Sequence, residues 1–150
     1  MRASYRLRRN DNSGLIHMFV LDTNILARFA VNDDVGQVAQ ARRAIGTQAM
    51  WVSATVLLEL EWVLRSRYGY ERKDIHTFLT HLLETTNVSV EDEVQVAAAL
   101  DWYAKGSDFA DALHLARTQS RGTMLTFDAA FCKRAQRAGA KIKVLRATVK

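Results

Sequence analysis

The sequence predicts an α/β domain built on a mainly parallel sheet. From Met18 to Leu145, short apolar runs alternate with longer segments of helical period, as in chains that cover a parallel sheet with helices. Ser, Thr, Asn or Asp mark many switches from strand to helix, where a side-chain oxygen can cap the first turn. The chain has 150 residues, 49% of them apolar, which fits one domain with a substantial core.

Phe19, Val20 and Leu21 read as a buried strand, followed by a short helix over Ile25 to Phe29 with Thr23 or Asn24 as its cap. A second helix is expected from Val35 to Gly46. Trp51 and Val52 form a short strand, and Ser53 caps a strongly apolar helix from Ala54 to about Tyr68. A helix over Asp74 to Glu84 leads to a strand at Val88 to Val90. Glu91 to Tyr103 is helical, with acids in the first turn where the helix dipole favours them. Gly106 and Ser107 break the chain before a helix from Asp108 to about Arg121. Strand Thr123 to Thr126, helix Ala129 to Arg137, a stop at Gly139 and strand Ile142 to Leu145 complete the order.

Net charge is +5, of which residues 1–17 carry +3 through Arg2, Arg6, Arg8 and Arg9 against Asp11. That segment lacks apolar periodicity and reads as a disordered basic leader, a candidate non-native or upstream-start extension because Met18 opens the first strand. Residues 18–150 are expected to form the single folded domain. No apolar run reaches the roughly 18 residues that cross a bilayer, so the expected location is the cytoplasm, without membrane contact. The single Cys132 has no partner for an intrachain disulfide or a Cys-rich zinc site and reads as a small core residue.

Acids recur at the turns of this pattern. Asp22 follows the first strand and Asp128 follows the fourth; in parallel sheets a ligand crevice lies beyond the carboxyl ends of strands, although either acid alone could be a helix cap. Glu59 lies inside a helix, with Thr55, Val56, Trp62 and Val63 at helical spacing, and is expected to be desolvated and in need of a cation. Glu61 points away from it and has Arg65 at i+4, the pattern of an exposed ion pair. Asp108, Asp111 and His114 share one helical face; capping explains Asp108, Asp111 sits among Phe109, Ala110, Ala112 and Leu113, and His114 reads as a structural residue before a ligand. Carboxylates with one Cys and four His select a hard ion, Mg²⁺ or Mn²⁺, and such an ion supports phosphodiester hydrolysis. No Walker A run, dinucleotide glycine fingerprint or Ser-His-Asp order competes.

These residues carry a family resemblance. Phe19 to Leu26 with Asp22-Thr23-Asn24, Leu58 to Leu64 with Glu59, Asp108 to His114 with Asp111, and Leu125 to Phe131 with Asp128 resemble the successive motifs of PIN-domain ribonucleases, and most closely the VapC toxins of type II toxin-antitoxin modules. The resemblance spans Met18 to about Leu145. It implies a three-layer α/β/α sandwich, an acidic Mg²⁺ or Mn²⁺ site that cleaves RNA, homodimerisation, and a small antitoxin whose C-terminal segment crosses the acidic groove. By position it assigns catalysis and metal binding to Asp22, Glu59, Asp111 and Asp128, with Asp108 as an additional carboxylate. Asn24 and Thr126 would orient carboxylates or water. Ala110 stands where the family often keeps Asn, so substrate specificity does not transfer. Arg65, Arg67, Arg72 and Lys73 form the best basic cluster for RNA phosphates, and the surroundings of Trp51, Trp62 and Tyr68 are candidate partner surfaces.

Three alternatives stand beside this one. A housekeeping RNA-processing nuclease would share the site without an antitoxin. A haloacid-dehalogenase-type phosphohydrolase would use Asp22 as a nucleophile, but Asn24 replaces the second acid and no downstream Lys motif is evident. A non-catalytic binding module has no need of all four acids.

Overall fold

The computed structural model describes residues 18–31, 36, 39, 43, 46, 48–118, 120–140 and 144–146. The elements are β1 (Phe19–Val20), α1 (Thr23–Val31), β2 (Met50–Val52), α2 (Ala54–Ser66), α3 (Arg72–Glu84), β3 (Val88–Val90), α4 (Glu93–Ala104), α5 (Phe109–Thr118), β4 (Met124–Thr126), α6 (Ala129–Arg137) and β5 (Val144–Arg146). The expected leader 1–17 lies outside the described residues, as do most of the helix expected over Val35 to Gly46 and Ile142 of the last strand.

All ladders are parallel. Phe19 stands opposite Met50 and Trp51 opposite Ser89, giving the order β1-β2-β3. Leu125 stands opposite Leu145 in a second, two-stranded ladder of β4 and β5. Parallel strands need crossovers, and helices supply them. The result is an α/β sandwich, with six helices and parallel strands among the described residues, as the alternating pattern predicts. The carboxyl ends of β1, β2 and β3 therefore share one edge, and Asp22, Ser53 and Glu91 are the residues that leave it. Asp128 leaves the other ladder, so among the described residues it is not joined to Asp22 through one continuous sheet edge.

The core explains why the helices form where they do. Leu26 of α1, Leu57, Leu60 and Leu64 of α2, Ile75 and Leu79 of α3, Val96 of α4 and Phe109 and Leu113 of α5 are all buried in one cluster. The repeat of three and four residues within α2 and α3 is the apolar stripe of a helix packed on one side. Cys132, expected in the core, is half-buried at its margin.

Local chemistry sets the helix ends. The Ser53 hydroxyl accepts the Val56 amide at 3.2 Å, as expected of a cap, and the neighbouring Ala54 amide donates to Glu91 Oε2 at 2.8 Å, tying the start of α2 to the end of β3. At α1 the cap is Asp22, whose Oδ1 accepts the Ile25 amide at 2.9 Å, in place of the expected Thr23 or Asn24. Asp108 does the same for α5, accepting the amides of Ala110 at 2.9 Å and Asp111 at 3.2 Å. Helix α6 ends as the stop at Gly139 predicts: with φ of 74°, Gly139 donates to the Gln136 carbonyl, and Ala140 donates to that of Ala135. This paired return to the last turn is inexpensive for glycine because a left-handed conformation meets no Cβ there.

Candidate active site

Two clusters of the expected residues form. The first lies between α1 and α2. Thr23, buried at the start of α1, donates its hydroxyl to Glu59 Oε2 at 2.5 Å. Around that bond opens a cleft of about 260 Å³ to which Asn24, Arg28, Trp62, Arg67 and Tyr68 also contribute. Glu59 is exposed here, contrary to the expected desolvation. Its apolar neighbours mislead because they border the cleft: Trp62 is 57% exposed, Thr55 is exposed, and Val56 and Val63 are only half-buried.

Glu61 corrects the reading from the other side. It is 4% exposed, on the stripe that runs through Leu57, Leu60 and Leu64. Its Oε1 accepts from Arg65 Nε at 2.9 Å and from the Tyr103 hydroxyl at 3.1 Å. The expected i+4 pair with Arg65 is present, but only Arg65 is exposed, while its acid is buried. Burial pushes the Tyr103 hydroxyl well above its usual range, and the adjacent Glu61 charge adds to the effect. The hydrogen bond to Glu61, followed by its charge, raises Arg65 as well. Glu61 is therefore a structural acid that secures α2 to α4.

The second cluster joins α5 to α6. Arg134 Nη2 donates to Asp111 Oδ2 at 3.0 Å and lies 3.7 Å from Asp128 Oδ2, so two of the four expected acids converge on one guanidinium. Asp111 is half-buried and Asp128 exposed. The other oxygen of Asp128, Oδ1, caps α6 by accepting the Phe131 amide at 2.9 Å, and its own amide donates to Thr126 Oγ1 at 3.0 Å. Thr126 thus fixes the backbone on which Asp128 sits. Asp22 and Asp108 are exposed, each with one oxygen engaged in capping. His114 is exposed, and its carbonyl accepts from Thr118.

The basic residues divide. Arg72 donates through Nη1 to the carbonyls of Tyr103, at 2.8 Å, and Ser107, while its guanidinium lies 4.4 Å from the centre of the Tyr103 ring. The structure gives Arg72 the task of closing the end of α4, in place of one in an open phosphate-binding cluster. Arg67 lines the cleft beside Glu59, and Lys73 is exposed. Arg134 was missed from sequence because Lys133, Arg134 and Arg137 look alike on α6. A six-residue separation from the capping Asp128 is not a helical neighbour spacing, so no local pattern singles it out.

A PIN-domain family model matches residues 19–136. The chain belongs to the PIN domain family. PIN domains are typically nucleases that use divalent metal ions, so the acids of this PIN domain belong to a fold with hydrolytic chemistry on nucleic acid. No curated protein matches the chain.

The donor chemistry of this PIN domain fits a hard divalent ion. Mg²⁺ takes one or two carboxylates and completes its shell with water and phosphate oxygens. Among the described residues no three Asp, Glu, His or Cys side chains stand close enough to hold an ion together. The Asp111–Asp128 pair supplies two, and the guanidinium between them marks a place that calls for positive charge.

Proposed function

We propose that this PIN domain is a metal-dependent endoribonuclease and the toxin of a type II toxin-antitoxin module. The observation that supports it best is the convergence of Asp111 and Asp128 on a single cation position, with Arg134 Nη2 at 3.0 and 3.7 Å, in a chain of a nuclease family. A bound Mg²⁺ or Mn²⁺ would lower the pKa of a water and neutralise charge developing on the phosphate. Asp111 and Asp128 would hold it, with Asp22 at the end of β1 and Glu59 on α2 completing the acidic set. Thr23 fixes one oxygen of Glu59, and Thr126 fixes the chain at Asp128, so both carboxylates are oriented before substrate arrives. Asn24 and Arg67, in the cleft beside Glu59, are positioned to meet the RNA backbone, with Lys73 as an outlying contact.

Partners belong to this reading. Trp62, Tyr68, Leu125 and Phe127 are exposed large apolar side chains, of the kind that mark docking surfaces, and they suit a second copy of the chain or an antitoxin. Among the described residues no helix is long and apolar enough to cross a membrane.

The test is incubation with structured and unstructured RNAs in Mg²⁺ or Mn²⁺, beside Asp22→Asn and Asp111→Asn. Cleavage is expected to stop in both variants and on chelation; activity that persists in all three defeats the site. Induction in cells separates toxin from housekeeping nuclease, because a toxin slows growth and a chain that cleaves RNA in vitro without slowing growth is not one.

A further inference from the structure

Among the ion-paired arginines of the described residues, Arg134 is the one whose two acids lie on different helices. Arg65, itself exposed, engages the buried Glu61 of its own helix, and Arg117 Nη2 lies 2.9 Å from Asp92 and 3.8 Å from Glu91, two adjacent acids of one turn. Arg134 Nη2 is likewise shared between two acids, but these stand on different helices, Asp111 of α5 and Asp128 at the start of its own α6, so its charge bridges two elements. It does not present the paired, fork-like contact that makes an arginine–carboxylate bridge strong and specific. Its Nε is buried and has no hydrogen-bond partner among the described residues, a costly arrangement for a polar group. The pose is therefore set by the demand of two carboxylates for positive charge rather than by a fitted hydrogen-bond network.

We propose that Arg134 is a resident counter-cation of the Asp111–Asp128 pair and is exchanged for the divalent ion when the nuclease loads its metal. This rests on the metal-dependent reading above. Two carboxylate charges balance one divalent ion; they do not balance that ion and a guanidinium in the same space. Without metal, Arg134 relieves repulsion between the two acids and keeps α5 and α6 in register. With metal, the guanidinium must leave Nη2's present position. Arg134 is thus a positioning residue that sets the metal affinity of the site.

The deciding measurement is Mn²⁺ binding to the full chain, followed by the resonance of free Mn²⁺, for wild type, Arg134→Gln, Arg134→Lys and Asp111→Asn. Loss of the competing charge is expected to tighten Mn²⁺ binding on the order of tenfold in Arg134→Gln. Arg134→Lys keeps the charge and is expected to bind like wild type, and Asp111→Asn to bind weakly. Unchanged or weaker binding by folded Arg134→Gln overturns the exchange, and weak binding by Asp111→Asn beside it leaves the metal site standing. Absence of Mn²⁺ binding in folded wild type and Arg134→Gln alike overturns both. A second readout needs no substitution: in wild type, Mg²⁺ is expected to move the Arg134 Nε–H resonance over the same concentration range as the Asp111 amide. An Arg134 resonance that stays fixed while Asp111 shifts overturns the exchange.

Discussion

Asp22 caps a helix and, in the proposed site, also offers an oxygen to the metal. One oxygen caps α1 through the Ile25 amide, which leaves the other free to face an ion. Substitution separates the two tasks. Asp22→Asn keeps an acceptor for the amide and is expected to fold as well as wild type while losing nuclease activity; Asp22→Ala is expected to lose about 1 kcal/mol as well. Denaturant melts of both variants, with activity measured in parallel, check this, and an active Asp22→Asn would reduce Asp22 to a cap. Asp111→Asn carries a different balance. It relieves like-charge repulsion with Asp128 but turns the charged bond to Arg134 into a weaker neutral-acceptor one, so its stability is expected to stay within about 1 kcal/mol of wild type. Glu59 and Glu61 show the limit of sequence reading at this scale. Apolar residues surround nearly the whole of α2, from Val56 through Leu57, Leu58, Leu60 and Val63 to Leu64, so the pattern does not fix which way the helix is turned. A rotation of part of a turn exchanges the fates of the two glutamates.

At the scale of elements, the buried Glu61–Tyr103 bond, with Arg65 on its exposed side, and the Arg72 contacts hold α2, α3 and α4 in place ahead of the turn that starts α5. Glu61→Ala leaves the Tyr103 hydroxyl buried without its acceptor and is expected to cost about 1–3 kcal/mol. Tyr103 also makes a pH prediction. Its folded-state value lies above the ordinary value of 10.0, so the protonated hydroxyl is favoured by folding. That stabilisation is complete below pH 10 and is lost as pH rises towards the raised folded-state value. Stability measured from pH 8 to 11 is expected to fall more steeply in wild type than in Tyr103→Phe, and parallel curves would contradict the assignment. Arg72→Ala removes bonds to two carbonyls and the contact with the Tyr103 ring, and is expected to cost about 2–3 kcal/mol, read by thermal melting. The elements themselves were largely legible: Ser53, the break at Gly106 and Ser107, and Gly139 mark ends that the structure keeps. The role of Arg72 was not legible, because a carbonyl acceptor 31 residues away leaves no pattern in sequence.

For the whole molecule, alternation of short strands and helices was enough to foresee a parallel α/β architecture, and the ordered acids pointed to the PIN family that residues 19–136 match. The meeting of Asp111 with Asp128 depends on how α5 packs against α6, and the guanidinium between them depends on one rotamer of a basic helix. Neither is written in local spacing. The claim that joins all scales is that these carboxylates form a metal-dependent site for cutting RNA. The most direct test compares initial rates of RNA cleavage in Mn²⁺ for wild type and Asp111→Asn, both shown to be folded. Loss of a residue that merely orients a metal ligand costs about 10–100-fold, so loss of Asp111 is expected to lower the rate at least about 100-fold. A variant that cleaves within a few-fold of wild type, or a wild type equally active in chelator, would contradict the account.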